Sequence, residues 1–267
     1  MDIDHAVPFG PPVRVWAGGV EDCEDASVVV VTAGAAQRPG QTRIDLVQRN
    51  ADVFAELIPN IAARAPDAVL VVATNPVDVM TMVALKLSGF PPARVLGSGT
   101  LLDTARLRSL LSQRFAVDAR SVHAYVIGEH GDSELVAWSA ANIGGIPLDK
   151  VSPDVPFGEA ERGAVAEETR RAAYAIIESK GYTAFGIGAG LVRIVEAVLR
   201  NERSVLSVSA PVDGVFGIRD VCLSLPAVLG AGGVEGVLPL QLDEPEQAAL
   251  RASAAIIHAA AASVGFA

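Results

Sequence analysis

The stretch SVVVVT at residues 27–32 decides the fold class of this 267-residue chain. Four consecutive valines are typical of a parallel strand that is covered on both faces, because such a strand leaves no side for water. A second run, DAVLVVA at residues 67–73, repeats the pattern, and apolar residues at helical spacing lie between the two runs. This alternation of buried strands and helices predicts a doubly wound parallel sheet.

The composition excludes several classes of protein. The net charge is −10 and no long basic run occurs, which argues against a nucleic-acid partner. Cys23 and Cys222 are far apart and match no metal or redox spacing, so we predict no metal site and a reducing, cytoplasmic environment. No apolar run reaches the roughly 18 residues that span a bilayer, and the first residues lack the pattern of a signal peptide, so no membrane partner is predicted.

Chemistry is predicted near residues 124–134, AYVIGEHGDSE. The apolar run at residues 124–127 indicates a buried strand over residues 123–127 that stops at Gly128, and His130 follows between two glycines. Open α/β sheets place their reactive groups at strand ends, and an imidazole exchanges protons near neutral pH. Upstream, Asp103 and Arg106 are one helical turn apart. Together these residues predict an acid/base pair beside an anion-binding arginine.

The sequence changes character after Pro147, where three prolines within residues 147–158 mark a boundary or a surface connection. Helices are predicted at residues 100–115, 159–180, 182–198 and 245–264. Strands are predicted at residues 13–17, 206–209 and 221–228. The second half of the chain is therefore expected to form an α+β unit.

Six motifs then occur in order along the chain. They are TAGA at residues 32–35, QRPGQTR at 37–43, ATNPVD at 73–78, GSGT at 97–100, LDTAR at 102–106 and GEHGDS at 128–133. The set closely resembles the L-lactate dehydrogenases of bacteria, in the lactate/malate dehydrogenase family. The resemblance implies a Rossmann-type nucleotide-binding sheet, NAD as cofactor and the interconversion of pyruvate and L-lactate.

The resemblance also implies a role for each catalytic residue. His130 gives a proton to the carbonyl oxygen of pyruvate and takes one from lactate. Asp103 orients the imidazole and stabilises its charged form. Arg106 binds the substrate carboxylate with two hydrogen bonds, and Arg43 polarises the carbonyl group when its loop closes.

Further residues are implied to bind substrate or cofactor. Asn75 contacts the substrate and the nicotinamide, and Thr183 lines the substrate pocket from the second half of the chain. The implied cofactor-binding set is Gly34, Ala35, Ala73, Thr74, Asn75 and Ser98.

Gln37 favours pyruvate as the substrate. Malate-specific relatives carry an arginine at this loop position to meet a second carboxylate, and a neutral amide does not do so. The alternative within the family is a malate dehydrogenase or another 2-hydroxyacid dehydrogenase.

Arg108 and His123 resemble the pair by which many bacterial members bind fructose 1,6-bisphosphate at a subunit interface. An arginine and a histidine suit a phosphate dianion. A surface or interface ion pair explains the two residues nearly as well. The resemblance further implies a homotetramer.

The chain departs from the family at its first residues, because the Gly-rich turn that binds the NAD pyrophosphate is missing. We expect a partial Rossmann-type sheet without its first strands. The expected units are a truncated dinucleotide-binding domain at residues 1–127 and a substrate domain at residues 128–267. Three explanations stay open: a misassigned start, an inactive truncated product, or a short form that binds a phosphosugar or assembles with a full-length subunit.

Overall fold

The computed structural model describes residues 2–35, 43–152 and 154–266, apart from the side chains of residues 43 and 44. Within these ranges the helices are α1 (Asp2–Ala6), α2 (Arg43–Arg64), α3 (Val77–Ser88), α4 (Leu101–Phe115), α5 (Glu159–Lys180), α6 (Phe185–Leu199) and α7 (Glu244–Ala262). The strands are β1 (Val28–Val31), β2 (Val69–Val72), β3 (Val95–Gly97), β4 (Val122–His123), β5 (Val126–Ile127), β6 (Leu135–Val136), β7 (Asn142–Ile143), β8 (Ile146–Pro147), β9 (Ser204–Val212), β10 (Val221–Gly230) and β11 (Gly233–Val237).

The main sheet has six strands in the order β1-β2-β3-β9-β10-β11. Strands β1, β2 and β3 are parallel, whereas β9, β10 and β11 pair antiparallel. The two halves meet at one antiparallel residue pair, Gly97 with Ser209. A Cβ at Gly97 would lie 2.3 Å from Oγ1 of Thr81 on α3, so only glycine allows the helix to pack this closely on the sheet.

The sequence of strand β2 is apolar throughout because both of its faces are covered. Leu70 and Val72 pack with α2 and α3 on one face of the sheet, while Val69 and Val71 pack with α6 on the other. All four side chains are buried. Burial stabilises each such side chain by about 1.5–3 kcal/mol relative to an exposed one.

The predicted α/β fold with a parallel sheet and a C-terminal α/β unit is confirmed. The helix predicted at residues 159–180 is α5, with the same bounds. Within the described ranges, no helix is both long and apolar enough to cross a membrane.

Two local predictions are wrong. Residues 13–17 do not form a strand, and Val13 and Trp16 are exposed instead. Residues 123–127 form not one strand but β4 and β5, which belong to two separate small sheets. The stretch is divided because its first part pairs with β7 and its second part with β6, while Ala124 and Tyr125 lie between the two strands. The Val126 backbone also bonds to two hydroxyls: its N–H donates to Thr104 Oγ1 on α4 at 3.0 Å, and its carbonyl accepts from Thr100 Oγ1, just before α4, at 2.6 Å.

Candidate active site

Helix α4 holds a buried carboxylate beside an arginine. Leu107 and Leu111 are fully buried on its inner face, and Asp103 lies one turn earlier on the same face, 2 % exposed. Arg106 Nη1 donates to Asp103 Oδ1 at 2.7 Å. The spacing of three residues brings the two side chains together on the helix, as the sequence predicts.

His130 lies on the loop after β5 and contacts the same carboxylate. Its Nδ1 lies 2.6 Å from Asp103 Oδ2. The imidazole is 27 % exposed, whereas the Asp103 side chain is 3 % exposed. Because Nδ1 is engaged with Asp103, Nε2 is the ring nitrogen left to exchange a proton with a bound molecule.

The surroundings of the imidazole hold its proton tightly. Burial lowers the pKa of His130, but the hydrogen bond to Asp103 and the charges of Asp103, Asp78 and Glu134 outweigh burial and raise that pKa to about 9. Burial raises the pKa of Asp103, yet His130 and Arg106 together hold it below its usual range. At neutral pH His130 is therefore a positively charged imidazolium, and it is paired with the carboxylate of Asp103.

Asp78 is a functional candidate that the sequence did not reveal. Its Oδ2 accepts the backbone N–H of His130 at 2.8 Å, and it is 2 % exposed. Burial is the main cause that raises the pKa of Asp78 to about 6. The available signal was an acidic residue within the apolar first turns of α3.

The predicted substrate residues line two neighbouring cavities. His130 and Asn75 line one of about 390 Å³ with Leu46 and Tyr174. Arg106 and Thr183 line another of about 600 Å³ with Lys180. Asp103 links the two, since it bonds to both His130 and Arg106, but Thr183 does not share the cavity of His130.

Glu134 is a further titratable group at this site. One ligand atom each from Asp103, His130 and Glu134 lies within 4.8 Å of the other two, a spacing that could hold a metal ion. Since both carboxylate oxygens of Asp103 already bond to His130 Nδ1 and Arg106 Nη1, we interpret the cluster as a proton-transfer group. Burial, with the nearby charge of Asp103, raises the pKa of Glu134 to about 8.

The predicted cofactor residues lie where β1, β2 and β3 end. Thr74 Oγ1 donates to the carbonyl of Ala33 at 2.7 Å, which ties the end of β2 to the end of β1. A Cβ at Gly34 would lie 2.6 Å from Thr74 Cγ2, so glycine is required for this close approach. The edge fits a dinucleotide, because parallel sheets bind such ligands outside the carboxyl ends of their strands.

One side chain, Asn50 on α2, fixes the rest of this edge and is missed by sequence reasoning. Its Oδ1 accepts from Ala35 N at 2.7 Å and its Nδ2 donates to the carbonyl of Asn75 at 2.8 Å. Asn75 lines the cavity of His130, and α3 is capped by Pro76 without a side-chain hydrogen bond. Ser98 is buried, and its N–H donates to the carbonyl of Val72 at 2.8 Å.

Two predicted residues have no described side chain. Gln37 lies outside the described residues. Arg43 begins α2, but its side chain is not among those described.

The two residues predicted to bind the effector are Arg108 on α4 and His123 on β4. Arg108 is half-buried, and its Nε donates to the carbonyl of Ala119 at 3.1 Å. His123 is exposed on β4, where it pairs with Asn142 of β7.

Comparison with known proteins gives one consistent family. A family model of the lactate/malate dehydrogenase NAD binding domain matches residues 1–97, and a model of the lactate/malate dehydrogenase alpha/beta C-terminal domain matches residues 100–264. The L-lactate dehydrogenase of Thermus aquaticus is 54 % identical, over 99 % of this chain and 86 % of that protein.

Solved structures agree. A lactate dehydrogenase from a Medee basin deep-sea metagenome library has a TM-score of 0.95 and 43 % identity, covering 99 % of this chain and 85 % of its own. The minor L-lactate dehydrogenase of Enterococcus mundtii, in its ligands-bound form, has a TM-score of 0.95 and 40 % identity, covering 100 % and 85 %.

Proposed function

The chain belongs to the lactate/malate dehydrogenase family, and on that basis we propose that it is an NAD-dependent L-lactate dehydrogenase. The observation that carries the proposal is the continuous contact from Arg106 through Asp103 to His130. An imidazole and a guanidinium therefore lie on either side of one buried aspartate, which supports His130 as the proton donor and Arg106 as the carboxylate-binding group.

The chain's own residues account for the proton transfer. Protonated His130 donates from Nε2 to the carbonyl oxygen of pyruvate and takes the proton back from the hydroxyl of lactate. Asp103 holds the imidazole through Nδ1 and stabilises its positive charge before the transfer. The guanidinium of Arg106 holds the substrate carboxylate, which fixes the distance between the carbonyl oxygen and Nε2.

The residues at the ends of β1, β2 and β3 would hold the cofactor. This edge is lined by Gly34, Ala35, Ala73, Thr74 and Ser98. Asn75 lies between the edge and His130. The hydride comes from NADH when that cofactor is bound.

We further propose the roles of the loop and of the second cavity. Arg43 polarises the substrate carbonyl and excludes water when the loop closes over the site. Gln37 on the same loop favours pyruvate over substrates with a second carboxylate. Thr183 forms the wall of the pocket on the side of the second half of the chain.

Regulation and assembly belong to the same proposal. Arg108 and His123 bind fructose 1,6-bisphosphate, and the chain acts as a homotetramer in the cytoplasm. The exposure of His123 and the half-buried position of Arg108 leave both side chains open to a phosphate group.

A pH profile of the full chain tests the proposed reaction. Protonated His130 is the form that donates, so kcat/KM for pyruvate reduction with NADH is expected to be constant at neutral pH and to fall as the pH rises through about 9. Lactate oxidation needs neutral His130 and is expected to rise over the same range. Absence of pyruvate reduction at every pH, with cofactor bound, contradicts the proposal.

A further inference from the structure

Three successive backbone N–H groups of the catalytic loop each donate to a different element. Gly128 N donates to the carbonyl of Ser224 on β10 at 2.9 Å. Glu129 N donates to Ser253 Oγ on α7 at 2.8 Å, and His130 N donates to Asp78 Oδ2 on α3 at 2.8 Å. The loop is therefore fixed at three consecutive residues by groups that lie far apart in the sequence.

Ser253 makes a second contact with the same loop. Its Oγ lies 3.0 Å from Ser133 Oγ, and Ser133 donates its own proton to the Glu129 carboxylate. Since a hydroxyl has one proton, Ser253 donates to Ser133 while it accepts from Glu129 N. One side chain of α7 thus holds both ends of the turn that carries His130.

The space around Ser253 is fitted to this arrangement. Ser253 is 1 % exposed and Glu129 is 4 % exposed, so no solvent replaces their hydrogen bond. Gly128 has a φ of +88°, and a Cβ there would lie 2.8 Å from Ser253 Oγ. The glycine therefore allows both the left-handed backbone and the close approach of the hydroxyl.

We propose that Ser253 is a positioning residue that sets the approach of His130 to Asp103. The proposal deepens the dehydrogenase function and rests on it for any effect on turnover. Without the hydroxyl, a buried N–H beside His130 loses its acceptor, so the loop is expected to shift until that group finds another partner. Such a shift lengthens the 2.6 Å contact between His130 Nδ1 and Asp103 Oδ2.

The proton affinity of His130 reports this contact. The titratable and charged groups that face the imidazole come from three sources: Asp103 with Arg106 on α4, Asp78 on α3, and Glu134 on the loop itself. Arg170 on α5 acts on Glu134. Ser253 is uncharged, so its removal alters the His130 pKa only by moving the loop relative to these charges.

The experiment compares Ser253→Ala with Ser263→Ala in the full chain. Ser263 caps the same helix but is exposed, and its hydroxyl contacts only the carbonyl of Ala260 in the described structure. Imidazole resonances are titrated by NMR, which is practicable because the chain has four histidines. We expect the pKa of His130 to fall by about one pH unit in Ser253→Ala and to stay in place in Ser263→Ala.

Kinetics provide the second measurement. We expect kcat for pyruvate reduction to fall roughly tenfold in Ser253→Ala, with a much smaller change in KM and in NADH binding measured by fluorescence. The alkaline limb of the pH profile should move to lower pH with the NMR titration. Ser253→Cys, which keeps the size and a weak hydrogen-bonding group, should give intermediate values.

An unchanged His130 pKa in folded Ser253→Ala overturns the proposal. Loss of cooperative melting in both Ser253→Ala and Ser253→Cys also overturns it, since Ser253 would then serve the stability of the whole chain. If the unaltered chain reduces no pyruvate, the dehydrogenase function fails, while the NMR titration still decides the role of Ser253.

Discussion

Helix α4 and the segment after it carry two pairs of an arginine and a histidine, and the two pairs differ in the groups that they contact. Arg106 and His130 share Asp103, whose carboxylate bonds to both. Arg108 bonds through Nε to a backbone carbonyl, and His123 is exposed on β4. At 3.6 residues per turn, side chains two positions apart on α4 point to nearly opposite sides.

The comparison shows that the two pairs differ because one of them contains a buried carboxylate, and not because their histidines differ. Asp103 is the main cause that raises the pKa of His130 against the effect of burial. For the pair at Arg108 and His123 there is no such shared carboxylate among the described contacts. The first pair is the one that we propose for proton transfer, and the second is the one that we propose for binding an anion.

The strongest test of this difference is His130→Asn. Removing the proton donor is expected to lower the rate of the chemical step by about 10²–10⁴-fold. Single-turnover measurements with NADH and pyruvate check this rate. The control is His258→Asn, an exposed histidine on α7 with no proposed role. A loss below tenfold would remove His130 as the donor.

Arg106→Lys tests the other end of the first pair. A lysine keeps the charge but loses the two-pronged hydrogen bond, so kcat/KM for pyruvate should fall by roughly 10–100-fold. Steady-state kinetics measure the change, and most of it should appear in KM. Arg114→Lys on the same helix is the matched control, and an equal effect in both variants would contradict the assignment.

Gln37→Arg tests the proposed preference for pyruvate over substrates with a second carboxylate. A new guanidinium meets a second carboxylate, so the kcat/KM of oxaloacetate relative to pyruvate should rise about tenfold. Gln48→Arg on α2 adds the same charge elsewhere and controls for general attraction of anions. If both variants change the ratio alike, Gln37 is not the selector.

The second pair is tested by its response to fructose 1,6-bisphosphate. We expect this effector to lower the apparent KM for pyruvate about fivefold, the lower end of usual allosteric couplings. In the double variant Arg108→Leu, His123→Ala the ratio of KM without and with effector should fall to about one. A response that survives in the double variant places the effector site elsewhere.

The sequence predicts the parallel half of the fold and the pair of Asp103 and Arg106 well, because both depend on local patterns. The contact of Asp103 with His130 spans 27 residues, and its prediction depended on the position of His130 at a strand end and on the family motifs. The valine run became β1 and the spacing of Asp103 and Arg106 became a hydrogen bond. It does not reveal Asp78, Asn50 or Ser253, whose polar side chains lie on otherwise ordinary helix faces. Their partners are between 15 and 124 residues away along the chain, a separation that periodicity does not report.

The wrong strand prediction at residues 123–127 has a similar cause. Residues 124–127 are apolar like one strand, but the chain pairs with β7 up to His123 and with β6 from Val126 onwards. The hydroxyl partners of the Val126 backbone are 22 and 26 residues away, and a local pattern does not report them. The division of the chain at residues 127 and 128 stays a prediction. The family models match residues 1–97 and 100–264 on either side of the end of β3.

The single pairing of Gly97 with Ser209 has a consequence for how the chain tolerates recombination. One sheet runs through both halves, so a chimera that joins the first half of this chain to the second half of a relative must reproduce that junction. The steric limits at Gly97 extend the requirement to Thr81 on α3. We therefore expect the two halves to unfold in one transition. We also expect a chimera to fold only when its two halves match at this junction.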